Sequence, residues 1–439
     1  MELRLIGKAA RVGLVGGGLI AALATSLPAM AADAPVASGA NTAWILVASA
    51  LVLFMTLPGL ALFYGGLVRA RNVLSVLMNC FAICCIASLI WVMFGYSLVF
   101  DGTGPLIGGL GKSFLGNLDA VMAGNGLPEN VFVLFQMTFA IITPALIIGA
   151  FPERAPFAFV VVFSTVWLVL VYLPAAHWLW GGGWLAAMGA LDFAGGIVVH
   201  TTAGVSALVA AIMIGRRKGF PHELIPPHSP AMTMTGAGIL WVGWFGFNGG
   251  SALAANEAAG AAIIATHVAA SAGALTWTAI EWLKLGKPTS VGLVTGCVAG
   301  LATVTPAAGY IGPMGAIVLG TAGGAVCFYS VLFVKQRLLI DDSLDVFAVH
   351  GVGGMLGSVL LAVFALKGLG GNGLAEGMTW LGQLGVQALA VGVTALWSGI
   401  VTWIIVKAVN LAIARRVSAE EEYEGLDLVT HGERAYEIG

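Results

Sequence analysis

The sequence predicts an all-α polytopic membrane protein of about eleven transmembrane helices, built as a 5+5 inverted repeat plus one extra helix. Three observations predict it. Of 439 residues, 59% are hydrophobic and only 9% charged, with a mean hydropathy of +0.97. A soluble domain carries roughly 25% charged residues, so most of this surface has to face lipid. Apolar stretches of about twenty residues recur, each long enough to cross roughly 30 Å of hydrocarbon. The basic residues, finally, fall overwhelmingly on alternate connections.

Taken in chain order, Arg4, Lys8 and Arg11 precede a mostly apolar run, Val12–Leu27, and Ala29-Met30-Ala31 offers the small residues of a cleavage site. This is a secretory signal-peptide pattern, so 1–31 reads as a leader, with an uncleaved first span as the alternative. Cleavage leaves the mature amino terminus on the periplasmic face of a Gram-negative inner membrane. Spans then follow at about 42–67, 74–100, 128–150, 156–174, 193–215, 231–250, 258–283, 289–305, 311–334, 345–366 and 380–413. They make up a membrane domain, 32–415, and leave a tail, 416–439.

An odd number of spans puts the two ends on opposite faces. With the amino terminus outside, fourteen Lys and Arg residues, from Arg69 and Arg71 to Arg434, lie on inner connections and the tail. Lys112 and Lys367 alone lie outside. That asymmetry orients the protein with its carboxyl terminus in the cytoplasm.

Net charge is −2, and no basic run exists for nucleic acid to use. The five cysteines, Cys80, Cys84, Cys85, Cys297 and Cys327, sit in apolar segments and read as buried packing residues, not a disulfide set or metal site. The 62 glycines suit close helix–helix approach in a membrane.

Polar groups inside hydrocarbon cost about 2.5–3.5 kcal/mol each and call for a reason. Asp192 to His200 opens the fifth span and Asp345 to His350 opens the tenth, a faint echo that agrees with halves of opposite orientation. At the rise of a helix, His200 and His350 lie roughly 12 Å and 8 Å deep. Because the two helices run antiparallel, both imidazoles reach mid-membrane and can meet there. Two core histidines bonded to carbonyls are the plain alternative. Their matched placing favours a pair lining a pore, where neutral imidazoles offer a donor and an acceptor and can share a proton. N-capping accounts for Asp192 and Asp345; Asp192, on the outer side, also suits a cation entrance.

Trp178 and Trp184 read as an interfacial belt. Phe135 and Phe139 in the third span, and Trp244, Phe247 and Ser251 closing the sixth, can build an aromatic cage with one hydroxyl. Aromatic faces attract small cations by about 0.5–2 kcal/mol.

On four segments the chain resembles the Amt ammonium transporters of the Amt/Mep/Rh family. They are Gly189-Ala-Leu-Asp192-Phe-Ala-Gly-Gly with Val-Val-His200, Trp244-Phe-Gly-Phe-Asn-Gly-Gly-Ser251, Thr303-Val-Thr305-Pro-Ala-Ala-Gly-Tyr310, and Asp341-Asp-Ser-Leu-Asp345-Val-Phe-Ala-Val-His350. The resemblance implies a homotrimer with one hydrophobic pore per subunit. Phe139, Trp180 and Ser251 would recruit ammonium, Phe139 and Phe247 would gate, and His200 and His350 would line the pore. Asp192 would support the recruitment site, and Trp244 and Thr305 would pack near the pore. Trp180 with Ser251 resembles the Amt branch and not the Rh branch; His200 departs from fungal Mep members that carry an acid there. The stretch from Glu420 to Tyr436 is similar to tails that dock on the cytoplasmic face and support regulation by PII-type proteins such as GlnK. Without the resemblance it is a short, acidic, solvated end, and His222, His228 and His431 are unremarkable.

The implied substrates are ammonium, ammonia and methylammonium, with no cofactor and no metal. Three rivals remain at this stage. They are an ion-coupled carrier of another solute, an intramembrane enzyme using Ser251 with His200 or His350, and an ammonium sensor. About twenty-five residues follow the last span, which favours regulated transport over sensing.

Overall fold

The computed structural model describes residues 36–118, 120–122, 124–223 and 225–436; the expected leader, 1–31, lies outside them. Among the described residues eleven helical rods follow one another, one for each expected span. They are α1 Gly39–Leu67, α2 Ala70–Phe100, α3 Glu129–Ala150, α4 Phe157–Ala187 and α5 Gly196–Ile214. Then come α6 Pro230–Trp244 with its continuation Phe245–Gly249, α7 Glu257–Leu285 and α8 Ser290–Val304. The last are α9 Pro313–Arg337, α10 Phe347–Phe364 and α11 Trp380–Val409. Nine are long and apolar enough to cross a membrane, and α8 is a shorter apolar helix. Two short helices, α12 Ala419–Glu424 and α13 Leu426–His431, end the chain.

Local chemistry starts these helices. Ser38, Asn256, Thr289 and Thr379 each accept a first-turn backbone N–H, which satisfies one of the orphan donors that a helix start leaves. Lipid tails are as apolar as Leu, so helix association in a membrane rests on close packing, not on exclusion of water. Small residues supply it. Gly296 and Gly300 of α8 pack on the α7 backbone at Gly273 and Ala269, and Gly320 and Gly324 of α9 do the same.

The crossing of α5 with α10 matters most. Gly204, four residues after His200, lies against the Gly351 backbone and the carbonyl carbon of His350. Gly354, four residues after His350, lies against the His200 Cβ and the Gly196 carbonyl. Each helix therefore presents a glycine where its partner's histidine turn crosses. A side chain at either place would push the helices apart. Three regions near this centre wind as π-helical turns, Gly196–Thr201, Phe245–Gly249 and Phe347–Val352, and α1 kinks at Leu57, where φ is -124° and ψ 100°. Such turns collect at functional sites because they re-aim side chains.

At the end of the molecule that carries the tail, buried charges staple four connections together. Arg217 donates to both carboxylate oxygens of Asp341, at 3.0 and 2.9 Å, and approaches Glu153 at 3.4 Å. Arg69 closes on the same Glu153 at 2.7 Å. Arg154, fully buried, donates to Ser343 Oγ and to the carbonyls of Asp341, Ala150 and Gly215. Burial opposes ionisation of Asp341, but the hydrogen bonds and charge of Arg217 outweigh it and hold the carboxyl down at about 2. Burial likewise opposes ionisation of Glu153, and Arg217 and Arg69 reverse it.

The tail packs on this network. Val417 N–H donates to the Arg154 carbonyl, Glu422 accepts from Arg416 and from Lys218 N–H, and Leu426 N–H donates to Asn72. Asp427 accepts from the backbone of Leu74 and Ser75 at the start of α2, at 3.0 and 2.8 Å. His228 bonds Val68 O with one ring nitrogen and meets Tyr436 with the other.

Three sequence readings need correction. Composition alone suggested a solvated tail, yet Glu422, Leu426 and Asp427 are each 1% exposed. Cys85 is exposed and Cys84 partly so, on an outward face of α2, because an apolar thiol serves equally well toward lipid. Trp178 is buried, not interfacial: its indole N–H donates to Leu106 O, under the loop after α2, and its ring packs on Trp397.

Replacing Gly354 by Val should destabilise the protein by about 1–3 kcal/mol or prevent assembly. Gly238→Val, at a position with no heavy atom within 4 Å, serves as control, and thermal melts in detergent compare the two. Arg217→Met should cost about 3–5 kcal/mol by leaving buried carboxylates short of a cation. Asp341 is held at about 2, so its contribution is present above the ordinary carboxylate value of about 3.9 and fades as pH falls through about 2. Acid melts of wild type and variant should therefore begin to converge below about pH 4 and meet near about pH 2.

Candidate functional site

Three cavities succeed one another along the axis beside the α5–α10 crossing. The first, about 270 Å³, opens at the end opposite the tail and is lined by Phe139, Trp180, Asp192 and Ser251 among others. The second, about 10 Å³, is a nearly closed apolar passage lined by Ile142, Val199, His200, Trp244, Phe247 and His350. The third, about 420 Å³, opens at the tail end past Phe63, Tyr64, Lys335, Asp345 and His350. Phe63, Val298 and His350 line both the passage and the tail-end cavity, so these two adjoin.

Asp192 builds the first cavity from its backbone. One carboxylate oxygen accepts the N–H groups of Gly195 and Gly196, the other those of Ile197 and Val198, at 2.7–3.0 Å. Helix α5 thus begins at Gly196, and His200 sits in its first turns instead of eight residues along a helix. The non-helical chain before Gly196 carries it inward. Gly195 adopts φ 112°, a left-handed conformation that glycine takes without strain. The Asp192 carbonyl in turn accepts the Trp180 indole N–H at 2.9 Å, fixing that ring at the cavity wall. Trp180 stands edge-on to Phe139, with centroids 5.6 Å apart. Ser251 donates its hydroxyl proton to Phe247 O at 2.8 Å, which leaves the oxygen lone pairs to accept from a ligand.

Phe139 and Phe247 close the floor of this cavity, their centroids 4.3 Å apart. Beneath them, His200 lies parallel to Phe247, Trp244 and His350 within about 26°. Trp244 is held by Thr305, whose hydroxyl accepts its indole N–H at 2.9 Å and donates to Leu301 O. The two imidazoles face each other Nδ1 to Nδ1 at 3.3 Å. One nitrogen must donate and the other accept, so one ring keeps a bare Nε2 and the other an Nε2–H. The pair offers a passing molecule one acceptor and one donor.

Ser251 opens on the first cavity and the histidines line the passage beneath the phenylalanines. Among the described residues no hydrogen bond joins them: Ser251 bonds Phe247 O and the imidazoles bond each other.

Asp345 does not do what its place in the sequence suggested. It is no N-cap: its carboxylate pairs with Lys335 at 2.7 Å. The residue that accepts the first-turn Phe347 N–H is Asp342, at 2.7 Å. Asp342 stands eight residues before His350, as Asp192 stands eight before His200. Counting back from the histidines would have found it, and would have found the paired glycines four residues after each.

A family model described as the Ammonium Transporter Family matches residues 43–436. An ammonium transporter of Bacillus subtilis is 44% identical over 90% of this chain and 98% of its own length. One of Aquifex aeolicus is 46% identical over 96% of this chain and 98% of its own. The solved structure of a sensor Amt protein superposes with a TM-score of 0.84 at 31% identity, covering 89% of this chain and 98% of that one. By the extent of these matches and the eleven-helix architecture that carries them, the chain belongs to the ammonium transporter family.

Proposed function

We propose that ammonium binds at Phe139, Trp180 and Ser251, loses a proton there, and crosses the passage as ammonia between His200 and His350. The observation that carries this reading is the 3.3 Å contact of two imidazoles inside a passage of about 10 Å³. A bare charge at mid-membrane costs at least about 2.5–3.5 kcal/mol, and a dry, tight passage raises that cost. A neutral molecule that both donates and accepts hydrogen bonds fits the imidazole pair and avoids most of the penalty. At the cage, π faces favour the cation, and the Ser251 oxygen accepts one of its N–H groups. Phe139 and Phe247 gate the descent. The proton crosses through the shared Nδ1 contact, giving net charge movement.

The roles of Asp192, Trp244 and Thr305 follow from what they hold: the start of α5 with Trp180, and the ring stacked on His200. Asp345, paired with Lys335, lines the tail-end mouth. Orientation follows the basic residues, with the tail end in the cytoplasm of a bacterial inner membrane. We further read the protein as a homotrimer whose leader, 1–31, is removed. The tail, 416–439, is its contact for a PII-type regulator such as GlnK.

Flux of ammonium and methylammonium into liposomes, recorded with voltage, tests the scheme. His200→Ala and His350→Ala should abolish the ammonium-evoked current while assembly is retained; a wild-type protein that passes ammonium without current refutes the proton path. Trp180→Leu should weaken uptake at low ammonium by about five- to thirtyfold, the worth of a partly desolvated cation–π contact. Passage of ammonia at saturating concentration should change little, and equal losses in both would exclude the cage.

A further inference from the structure

Asp342 is the buried acid that the scheme above leaves without a task. It is 0% exposed, at the turn that leads into α10. Its neighbours hold that turn rigidly: Ser343 and Leu344 N–H groups donate to the carbonyls of Ala150 and Gly149 at the end of α3. Like Asp192 it stands eight residues before a passage histidine and accepts a helix-start N–H. The two sites then differ. Asp192 has both oxygens saturated, by four backbone donors. Asp342 receives Phe347 N–H on Oδ2, while Oδ1 is buried with no hydrogen-bond partner among the described residues.

A buried carboxylate oxygen without a donor is costly while charged, and a proton removes the cost. The groups around Asp342 add to this. Asp345 stands on the same turn, its charge only offset by Lys335 at the end of α9. Tyr64 of α1 also lies within electrostatic range of it. Asp341 is already neutralised by Arg217, with Arg154 beside it, so neither arginine is free to serve Asp342. Burial first, then the Asp345 charge, pushes the Asp342 carboxyl up to about 7. A group poised there changes charge across the range in which a cytoplasm varies.

We propose that Asp342 is a proton-sensitive positioning residue that, when ionised, holds the first turn of α10 and so keeps His350 in register with His200. Taking a proton from the tail side weakens that hold. An ionised acceptor makes a hydrogen bond roughly twice as strong as a neutral one, and Phe347 lies one turn before His350, so the loss falls on the ring that completes the pair. Acidification at the tail end then slows conduction. The inference rests on the conduction path proposed above and adds a regulator at its far mouth.

Asp342→Asn separates charge from capping, because the amide oxygen still accepts from Phe347 N–H but carries no charge and takes no proton. In liposomes with the tail side held from about pH 8 to about pH 6, either side of the value of about 7, the ratio of wild-type to Asp342→Asn methylammonium flux should fall. It should start at about five, the factor expected of an ordinary capping bond, and end near one. A ratio that stays constant across this range overturns the proposal while leaving the conduction path intact; absence of wild-type flux already at about pH 8 would strike the path instead. Should the variant not fold, infrared titration of the wild-type protein decides. A buried carboxyl band titrating near about 7 is the expected result, and none between about pH 6 and about pH 8 overturns it.

Discussion

The structure depends on how closely α5 can approach α10. Without side chains at Gly204 and Gly354, each helix lets the other's histidine turn come into backbone contact, and the two Nδ1 atoms meet at 3.3 Å. Either imidazole alone would be a polar group stranded in a greasy passage. Together they satisfy one another and still leave one donor and one acceptor for a guest. Packing and chemistry are therefore one requirement here. The methyl group that would spoil the helix contact would also separate the rings.

Around this crossing the protein uses backbone N–H groups and arginines to stabilise charge that lipid cannot. Asp192 collects four N–H groups and so shapes both the start of α5 and the position of Trp180. At the opposite end, Arg69, Arg154 and Arg217 surround Glu153 and Asp341 and tie four connections into one block, on which the tail is laid. Buried ion pairs are a weak source of net stability, so fixing the mutual position of helix ends is their better explanation. The tail-end mouth can then keep its shape without an apolar core of its own.

Much of this was legible in the sequence. Eleven apolar stretches and the run of basic residues on alternate connections foretold the rods and their order, because a bilayer admits few other solutions. His200 and His350 stood out as polar groups where hydrocarbon disfavours them, Trp180 and Ser251 through the family resemblance, and the fold brings each of them onto one axis. What stayed hidden depended on register. Asp345 and Asp342 are equally plausible helix starts on paper, and only the backbone path, with Asp345 at φ 62°, decides which carboxylate faces the free N–H. Trp178 is indistinguishable by composition from a belt residue until the loop after α2 folds over it. The tail reads as solvated because its acids give no hint that Asp427 will cap α2.

The hydroxyl of Ser251 is committed to Phe247 O, and this bears on how an ion of the wrong kind is refused. Potassium matches ammonium in charge and nearly in size, but it sheds water only where several oxygens stand ready to replace it. The vestibule wall at this point offers aromatic faces, the lone pairs of the Ser251 hydroxyl, and the Gln136 and Tyr310 side chains. A guest with its own N–H bonds can exploit these few oxygens directionally, whereas a bare metal ion would exchange a full hydration shell for an incomplete one. Under the recruitment scheme proposed above, selectivity then rests on directional hydrogen bonding and not on a complete shell of oxygens, and an added carboxylate at the rim would admit the alkali ions sooner than it would help ammonium.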